Sequence, residues 1–193
     1  MNDSARIRSH ALAIADLSLL GAIIVMLPFF RPDIVFPTTY LLLYPLILFT
    51  GRRVLLPQLL LASACSVVWM MIGGGIYGYQ DSYFSIGPIS IYPLAAWAVG
   101  FFLTYAFSTH IRLRRPTWLK RFGSYAVCYW FILILYETVA YHVFEIRNPA
   151  TLGYPGLPLC DCIHAPPWVQ VSYLSMGPVY FLLCEWLGLN RRG

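Results

Sequence analysis

The chain has 193 residues, of which 59% are hydrophobic, 17% are aromatic and only 11% are charged. Soluble domains have about 25% charged and about 45–50% apolar residues, so this composition excludes an ordinary soluble domain and a disordered chain. The net charge is +5, but no basic arm or nucleic-acid-binding motif accompanies it. We therefore expect an integral membrane protein in contact with the lipid bilayer, and no nucleic-acid partner.

The apolar segments predict six transmembrane helices. A transmembrane helix needs about 20 mostly apolar residues. Segments that meet or approach this length predict an all-α bundle in a single polytopic domain, with spans at about residues 11–30, 34–50, 54–76, 89–109, 122–146 and 167–189. The first segment has no A-x-A cleavage site, so we interpret it as a retained helix rather than a signal peptide.

The basic residues predict the orientation of this bundle. With a cytoplasmic N-terminus, 11 of the 13 Lys and Arg residues fall in inner segments, and only Arg31 and Arg147 fall outside. The positive-inside rule therefore predicts a multi-pass protein with both termini in the cytoplasm. Two outer loops, at 77–88 and 147–166, are rich in turn residues and each precedes a helix with Pro and Trp at its start. This pattern is typical of two three-helix repeats, or of aromatic residues at the bilayer boundary.

Glu137 is the acidic residue that lies deepest within a predicted span. Tyr141 and Glu145 follow at i+4 and i+8, which predicts one stripe on the helix, and His142 flanks it. We expect the stripe to face the bundle interior, where desolvation favours the protonated carboxylic acid. Such an acid can donate a proton to an alkene or epoxide. The alternative is an interhelical hydrogen bond from Glu137 to Tyr, Ser or Gln170.

Asp16 and Glu185 lie near the inner ends of the first and last predicted spans. A charged group within the hydrocarbon is costly unless it is paired or reaches the interface. We expect each of these residues to have a structural role, either at the interface or paired with an Arg of a neighbouring helix.

The second outer loop contains the segment Cys160-Asp161-Cys162-Ile163-His164. Zinc sites more often use C-x2-C or wider spacings, and a disulfide across one residue is geometrically demanding. Unpaired structural cysteines, a redox or disulfide pair, and a metal site all remain open. Asp161 and His164 are predicted to lie on the same outer side as Glu137, His142 and Glu145.

Two other kinds of site are compatible with parts of the sequence. His142 and His164 suggest a b-type haem, although haem-binding bundles place their ligands inside helices. The glycines at 73–75 and the prolines within the spans permit the interrupted helices of a transporter. We expect no cofactor and no metal.

The pattern of an apolar span, a Gly/Tyr loop and a span that begins with Pro resembles the heterodimeric-type lycopene cyclases and related membrane-embedded terpene cyclases, over about residues 54–189. That family has Pro-Leu-Glu-Glu at the start of the relevant helix, where this chain has Pro93-Leu94-Ala95-Ala96. The resemblance implies metal-free protonation of an alkene or epoxide and stabilisation of a carbocation by aromatic faces. It implies that the acid is Glu137 or Asp161, and that the aromatic faces come from Trp69, Tyr77, Tyr79, Tyr83, Trp97, Tyr105, Trp130, Tyr136, Tyr141 and Trp168.

These observations support two hypotheses. The first is an enzyme that cyclises or isomerises an isoprenoid or other lipid-like molecule, an isomerase or lyase in isoprenoid biosynthesis. Glu137 would be the acid, Asp161 or Glu145 its partner or base, and His142, His164 and Tyr141 would tune protonation. The second is a non-catalytic membrane subunit or small transporter, whose polar stripe binds a partner helix or a solute. Either protein could form a homo- or hetero-oligomer.

Overall fold

A computed structural model of the protein describes residues 3–77, 84–86, 89–111 and 117–189. The predictions for Tyr79 and Tyr83, and for Arg112, Arg114, Arg115, Arg191 and Arg192, lie outside these residues, as do those for the side chains of Arg6 and Arg8. The described residues form six long helices: α1 (Asp3–Met26), α2 (Pro32–Phe49), α3 (Leu56–Gly73), α4 (Ile91–Ser108), α5 (Trp118–Thr138) and α6 (Pro167–Trp186). The six-helix prediction is confirmed at this level.

Four of these helical segments are long and apolar enough to cross a membrane. They are Pro32–Phe49, Arg53–Ile76, Ile91–Ser108 and Trp118–Val143, where the second and fourth include short 3-10 and π-helical extensions. The stretch His10–Met26 of α1 is apolar but shorter. Between α3 and α4, the strands β1 (Ser85–Ile86) and β2 (Ile89–Ser90) pair antiparallel, a two-residue ladder that the sequence analysis did not predict.

Helix α4 lies at the centre of the bundle and packs against all five of the other long helices. Its sequence has no charged residue and is apolar on every side, which is the pattern of a fully enclosed helix. Phe101, Phe102 and Leu103 are consecutive and all buried, so α4 has no outward face at this level. The peripheral helices α3 and α5 instead expose large apolar side chains such as Met71 and Phe131.

A glycine and a proline fix how α5 packs against α6. A Cβ atom at Gly177 would lie 2.3 Å from the ring of Tyr129, so only glycine lets the Tyr129 ring approach the α6 backbone this closely. The next residue, Pro178, has no N–H to bond to the carbonyl of Leu174. The indole of Trp130 donates to that carbonyl at 2.8 Å, and the hydroxyl of Tyr129 donates to the carbonyl of Tyr173 at 2.6 Å. The side chains of Tyr129 and Trp130 therefore donate hydrogen bonds to two backbone carbonyls of α6 in the turn before Pro178.

An ionic cluster joins three elements at the end of the bundle that the sequence analysis predicts to be the inner one. The carboxylate of Asp16 in α1 is buried and accepts two hydrogen bonds from the guanidinium of Arg52, at 2.7 and 2.8 Å. Nε2 of His110, just beyond α4, lies 2.9 Å from the same carboxylate. In α6, Glu185 lies 2.9 Å from the guanidinium of Arg121 in α5. Of the two structural roles expected for these acids, pairing with an arginine is the one found for both.

Candidate functional site

A cavity of about 180 Å³ lies between α1, α4, α5 and α6, near the end of the bundle where α5 ends and α6 begins. Most of its lining is apolar or aromatic and comes from the four helices. The loop between α5 and α6 adds Asn148, Thr151, Ile163, His164 and Ala165. The lining suits an apolar molecule with a small number of polar contacts.

Glu137 lines this cavity one residue before the end of α5. Its side chain is half-buried, as expected for a carboxyl group that is surrounded by protein but faces an internal space. Within the part of the chain that the structure describes, Glu137 makes no hydrogen bond and no ion pair. Gln170, the amide considered as its partner, donates instead to the carbonyls of Pro155 and Ile163. The carboxyl group is therefore available to a molecule in the cavity.

The helix changes geometry directly after Glu137. Residues Val139–Val143 form a π-helical segment, and the backbone N–H of Phe144 bonds to the carbonyl of Val139. Wider turns of this kind occur often at functional sites. Here the segment directs Ala140 and Tyr141 toward the cavity, next to Glu137.

Three aromatic residues from separate elements meet at the hydroxyl of Tyr77. The indoles of Trp69 in α3 and Trp97 in α4 donate to this oxygen at 2.8 and 3.0 Å, and the hydroxyl of Tyr173 in α6 lies 2.8 Å from it. Burial raises the pKa of Tyr77 to about 12. The hydroxyl is therefore neutral at physiological pH. It fixes α3, α4 and α6 around the wall of the cavity.

A second aromatic stack lies at the mouth of the cavity. The rings of Tyr141 and His164 are stacked with their centroids 4.4 Å apart, and the guanidinium of Arg147 lies 4.8 Å from the Tyr141 ring. Nδ1 of His164 donates to the carbonyl of Tyr154 at 2.8 Å, because a carbonyl can only accept. Its Nε2 lies 3.4 Å from the exposed carboxylate of Asp161. The structure thus brings together His164, Tyr141 and Asp161, of which the first two line the cavity with Glu137.

Glu145 does not follow the predicted helical stripe, and His142, which was predicted to flank that stripe, lies outside the cavity lining. Glu145 lies beyond the helical segment with a positive φ of 53°, and its side chain is exposed. His142 is exposed, and its Nε2 lies 3.0 Å from the carbonyl of Cys160. Neither residue is among those that line the cavity. The expectation that Glu145 shares a face with Glu137 is wrong because regular α-helical spacing does not hold across the π-helical segment.

Cys160 and Cys162 form a disulfide across a single intervening residue. Asp161 and Ile163, on either side of Cys162, both have positive φ, at 45° and 53°. Of the three possibilities that the sequence left open, the structure contains the disulfide. Among the described residues no group of three or more His, Cys, Asp or Glu side chains is arranged to hold a metal ion.

Tyr173 and Thr104 also line the cavity, and neither was predicted from the sequence to do so. The spacing of α6 could have identified Tyr173, because it belongs to a row of residues four apart, all of them buried: Val169, Tyr173, Gly177 and Phe181. Thr104 lies in a helix that is buried on all sides, so periodicity does not distinguish a cavity-facing residue there from a core residue.

Comparison of the chain with protein-family models, with curated proteins and with solved structures finds no match.

Proposed function

We propose that the protein is a multi-pass membrane protein in which all six helices cross the bilayer and both termini are cytoplasmic. Four segments are long and apolar enough by themselves. Helix α6 has 20 residues, a length of about 30 Å at 1.5 Å per residue, which is enough to cross the bilayer core. The apolar stretch of α1 contains one acid, Asp16, and its charge is paired with Arg52. The 11-to-2 division of basic residues supports the orientation. The loop at 147–166 and the mouth of the cavity are then on the outer side.

We propose that the cavity binds an isoprenoid or other lipid-like molecule and catalyses its acid-initiated cyclisation or isomerisation. One observation carries this proposal: the carboxyl group of Glu137, without a protein partner among the described residues, faces an apolar cavity with aromatic walls. Proton transfer requires a donor within hydrogen-bond reach of the acceptor. The protonated carboxylic acid is the form favoured where water is excluded.

In this reaction the Glu137 carboxylic acid adds a proton to one alkene carbon and leaves a carbocation at its neighbour. The Glu137 carboxylate then takes a proton from an adjacent carbon, which forms the new double bond and restores the acid, so the isomeric product has the mass of the substrate. The face of Trp97, which lines the cavity, can stabilise the positive charge through its π-electrons. Nε2 of His164, which lines the cavity, lies 3.4 Å from the exposed carboxylate of Asp161, and we propose that this pair exchanges the proton with water. The chemistry needs no cofactor.

Deuterium incorporation tests this reaction directly. The purified protein in lipid nanodiscs is incubated in D₂O with linear polyprenyl and polyene lipids, and the products are examined by mass spectrometry. We expect an isomer of one lipid that carries a single added deuterium at carbon. A complete panel that returns only unlabelled substrate would contradict acid-initiated chemistry.

Filling the cavity tests binding separately from catalysis. Gly100 lines the cavity, and a Cβ atom there meets nothing within 4 Å, so Gly100→Leu places a side chain in the cavity without a clash at its root. We expect binding of a fluorescent polyene fatty acid, detected through energy transfer from tryptophan, to weaken at least about tenfold, since extra volume in an occupied space is costly.

Gly123→Leu is the matched control, because Gly123 also has open space for a Cβ but does not line the cavity. Its binding should equal that of the wild type. Equal binding by both variants would mean that the probe binds elsewhere. Binding that Gly100→Leu abolishes, in a protein that produces no labelled isomer, would favour a non-catalytic apolar-ligand-binding subunit.

A further inference from the structure

The disulfide between Cys160 and Cys162 directly precedes a segment, residues 163–165, that lines the cavity near its mouth. Cys162 is completely buried, whereas Cys160 is half-buried. The three residues that follow Cys162 are Ile163, His164 and Ala165, and all three line the cavity. The disulfide is therefore joined directly to a segment of the cavity lining.

The backbone around the disulfide is held in an uncommon conformation. Asp161 and Ile163 have positive φ, which residues other than glycine rarely adopt and which costs free energy at each position. The backbone N–H of Leu157 bonds to the carbonyl of Cys162, and that of Asp161 bonds to the carbonyl of Leu157, both at 2.8 Å. A Cβ atom at Gly156 would lie 2.8 Å from the Asp161 backbone, so this segment is closely packed beneath the disulfide.

In this conformation, residues beside the disulfide make several contacts with neighbouring segments. The His164 ring is held between the carbonyl of Tyr154 and the Tyr141 ring, and His142 contacts the carbonyl of Cys160. Opening of the disulfide would allow the two left-handed residues to relax, and His164 directly follows the second of them in the cavity lining.

We propose that Cys160 and Cys162 form a redox site that controls access to the cavity and exchanges electrons with a protein dithiol on the outer side of the membrane. The proposed topology places this loop outside the cytoplasm, where disulfides persist. Access to the cavity can be measured without turnover. The redox proposal therefore rests on the proposed topology and not on the proposed reaction.

The exchange proceeds by attack on the accessible sulfur. A thiolate of the partner dithiol attacks Sγ of Cys160, the Cys160–Cys162 bond breaks, and the Cys162 thiolate leaves and takes up a proton. The second thiol of the partner, as a thiolate, then attacks the mixed disulfide and releases the Cys160 thiolate, which is protonated in turn. Two electrons pass from the dithiol to the cysteine pair, and the partner is left with a disulfide.

Labelling of a cysteine inside the cavity tests the proposal. The Gly100→Cys variant in nanodiscs is treated with a charged, membrane-impermeant maleimide before and after reduction by dithiothreitol and desalting. Peptide mass spectrometry separates position 100 from the native cysteines. Since two residues with positive φ are released, we expect reduction to raise the labelling rate at position 100 at least about tenfold.

Two further variants control this measurement. Gly123→Cys, away from the cavity, should label at the same rate in both redox states. Cys160→Ser with Cys162→Ser, combined with Gly100→Cys, should label fast with or without dithiothreitol. Two free thiols at 160 and 162 in the isolated protein, or equal labelling of position 100 before and after reduction of the native pair, would overturn the proposal. Neither result bears on the deuterium experiment.

Discussion

Replacing Glu137 with glutamine is expected to lower turnover about 10²–10⁴-fold, the usual contribution of a general acid. Glutamine has nearly the same shape and fits the same cavity wall, but its amide cannot donate an acidic proton. Binding of the polyene probe should therefore be kept while the deuterium-labelled product is lost. The measurement is the rate of product formation in D₂O, compared with probe affinity in the same nanodisc preparation.

Glu145→Gln is the matched control for this variant. Glu145 is exposed and lies outside the cavity, so we expect its replacement to leave turnover unchanged. Equal losses of turnover in both variants would indicate that Glu145 acts as the base, as the sequence suggested. Full turnover by Glu137→Gln would refute acid catalysis by this residue.

Replacing Asp16 with asparagine is expected to lower the free energy of unfolding by about 3–5 kcal/mol, the cost of leaving a buried charge without its partner. Asp16 is only 1% exposed, and the Arg52 side chain bonded to it is only 12% exposed. The substitution leaves the guanidinium buried with a neutral amide in place of the carboxylate. The measurement is the unfolding midpoint in detergent micelles.

Two comparisons identify the physical cause of this loss. Glu185→Gln removes an interhelical pair whose arginine, Arg121, is 39% exposed, and we expect a loss of about 1 kcal/mol or less. Asp16→Leu combined with Arg52→Met removes both charges and should recover part of the stability. If Asp16→Asn is no less stable than Glu185→Gln, the cluster does not join the helices as its geometry indicates.

The helices could be predicted from the sequence because their signal is local. The observed span from Arg53 to Ile76 matches the predicted 54–76, and α4 and α6 begin within two residues of their predicted starts. The larger errors have physical reasons. Helix α1 begins at Asp3, eight residues before the predicted start, because a polar helical turn has no hydropathy signal. The π-helical segment depends on a shift in backbone hydrogen bonding that apolar periodicity does not reveal.

The candidate site could be predicted only in part. Glu137 was identifiable because a carboxyl group deep within an apolar span needs a specific reason. The surroundings of Glu137 could not be predicted, because Trp97 and Tyr173 come from separate parts of the chain and meet at the hydroxyl group of Tyr77. The pairing of Asp16 with Arg52 likewise joins residues 36 positions apart, and only the packing of the helices shows which arginine is used.

The sequence by itself determined that this is an apolar, helical chain with very few charges, because composition and local periodicity are properties of neighbouring residues. It also identified Glu137 and the Cys160–Cys162 segment as the positions that need a chemical explanation. Only the tertiary structure decided that Glu137, Tyr141 and His164 line one cavity while Glu145 does not. It also decided that the two cysteines are joined next to a segment that lines this cavity. These outcomes depend on contacts between distant segments and on one irregular turn, and neither is encoded in any single stretch of the chain.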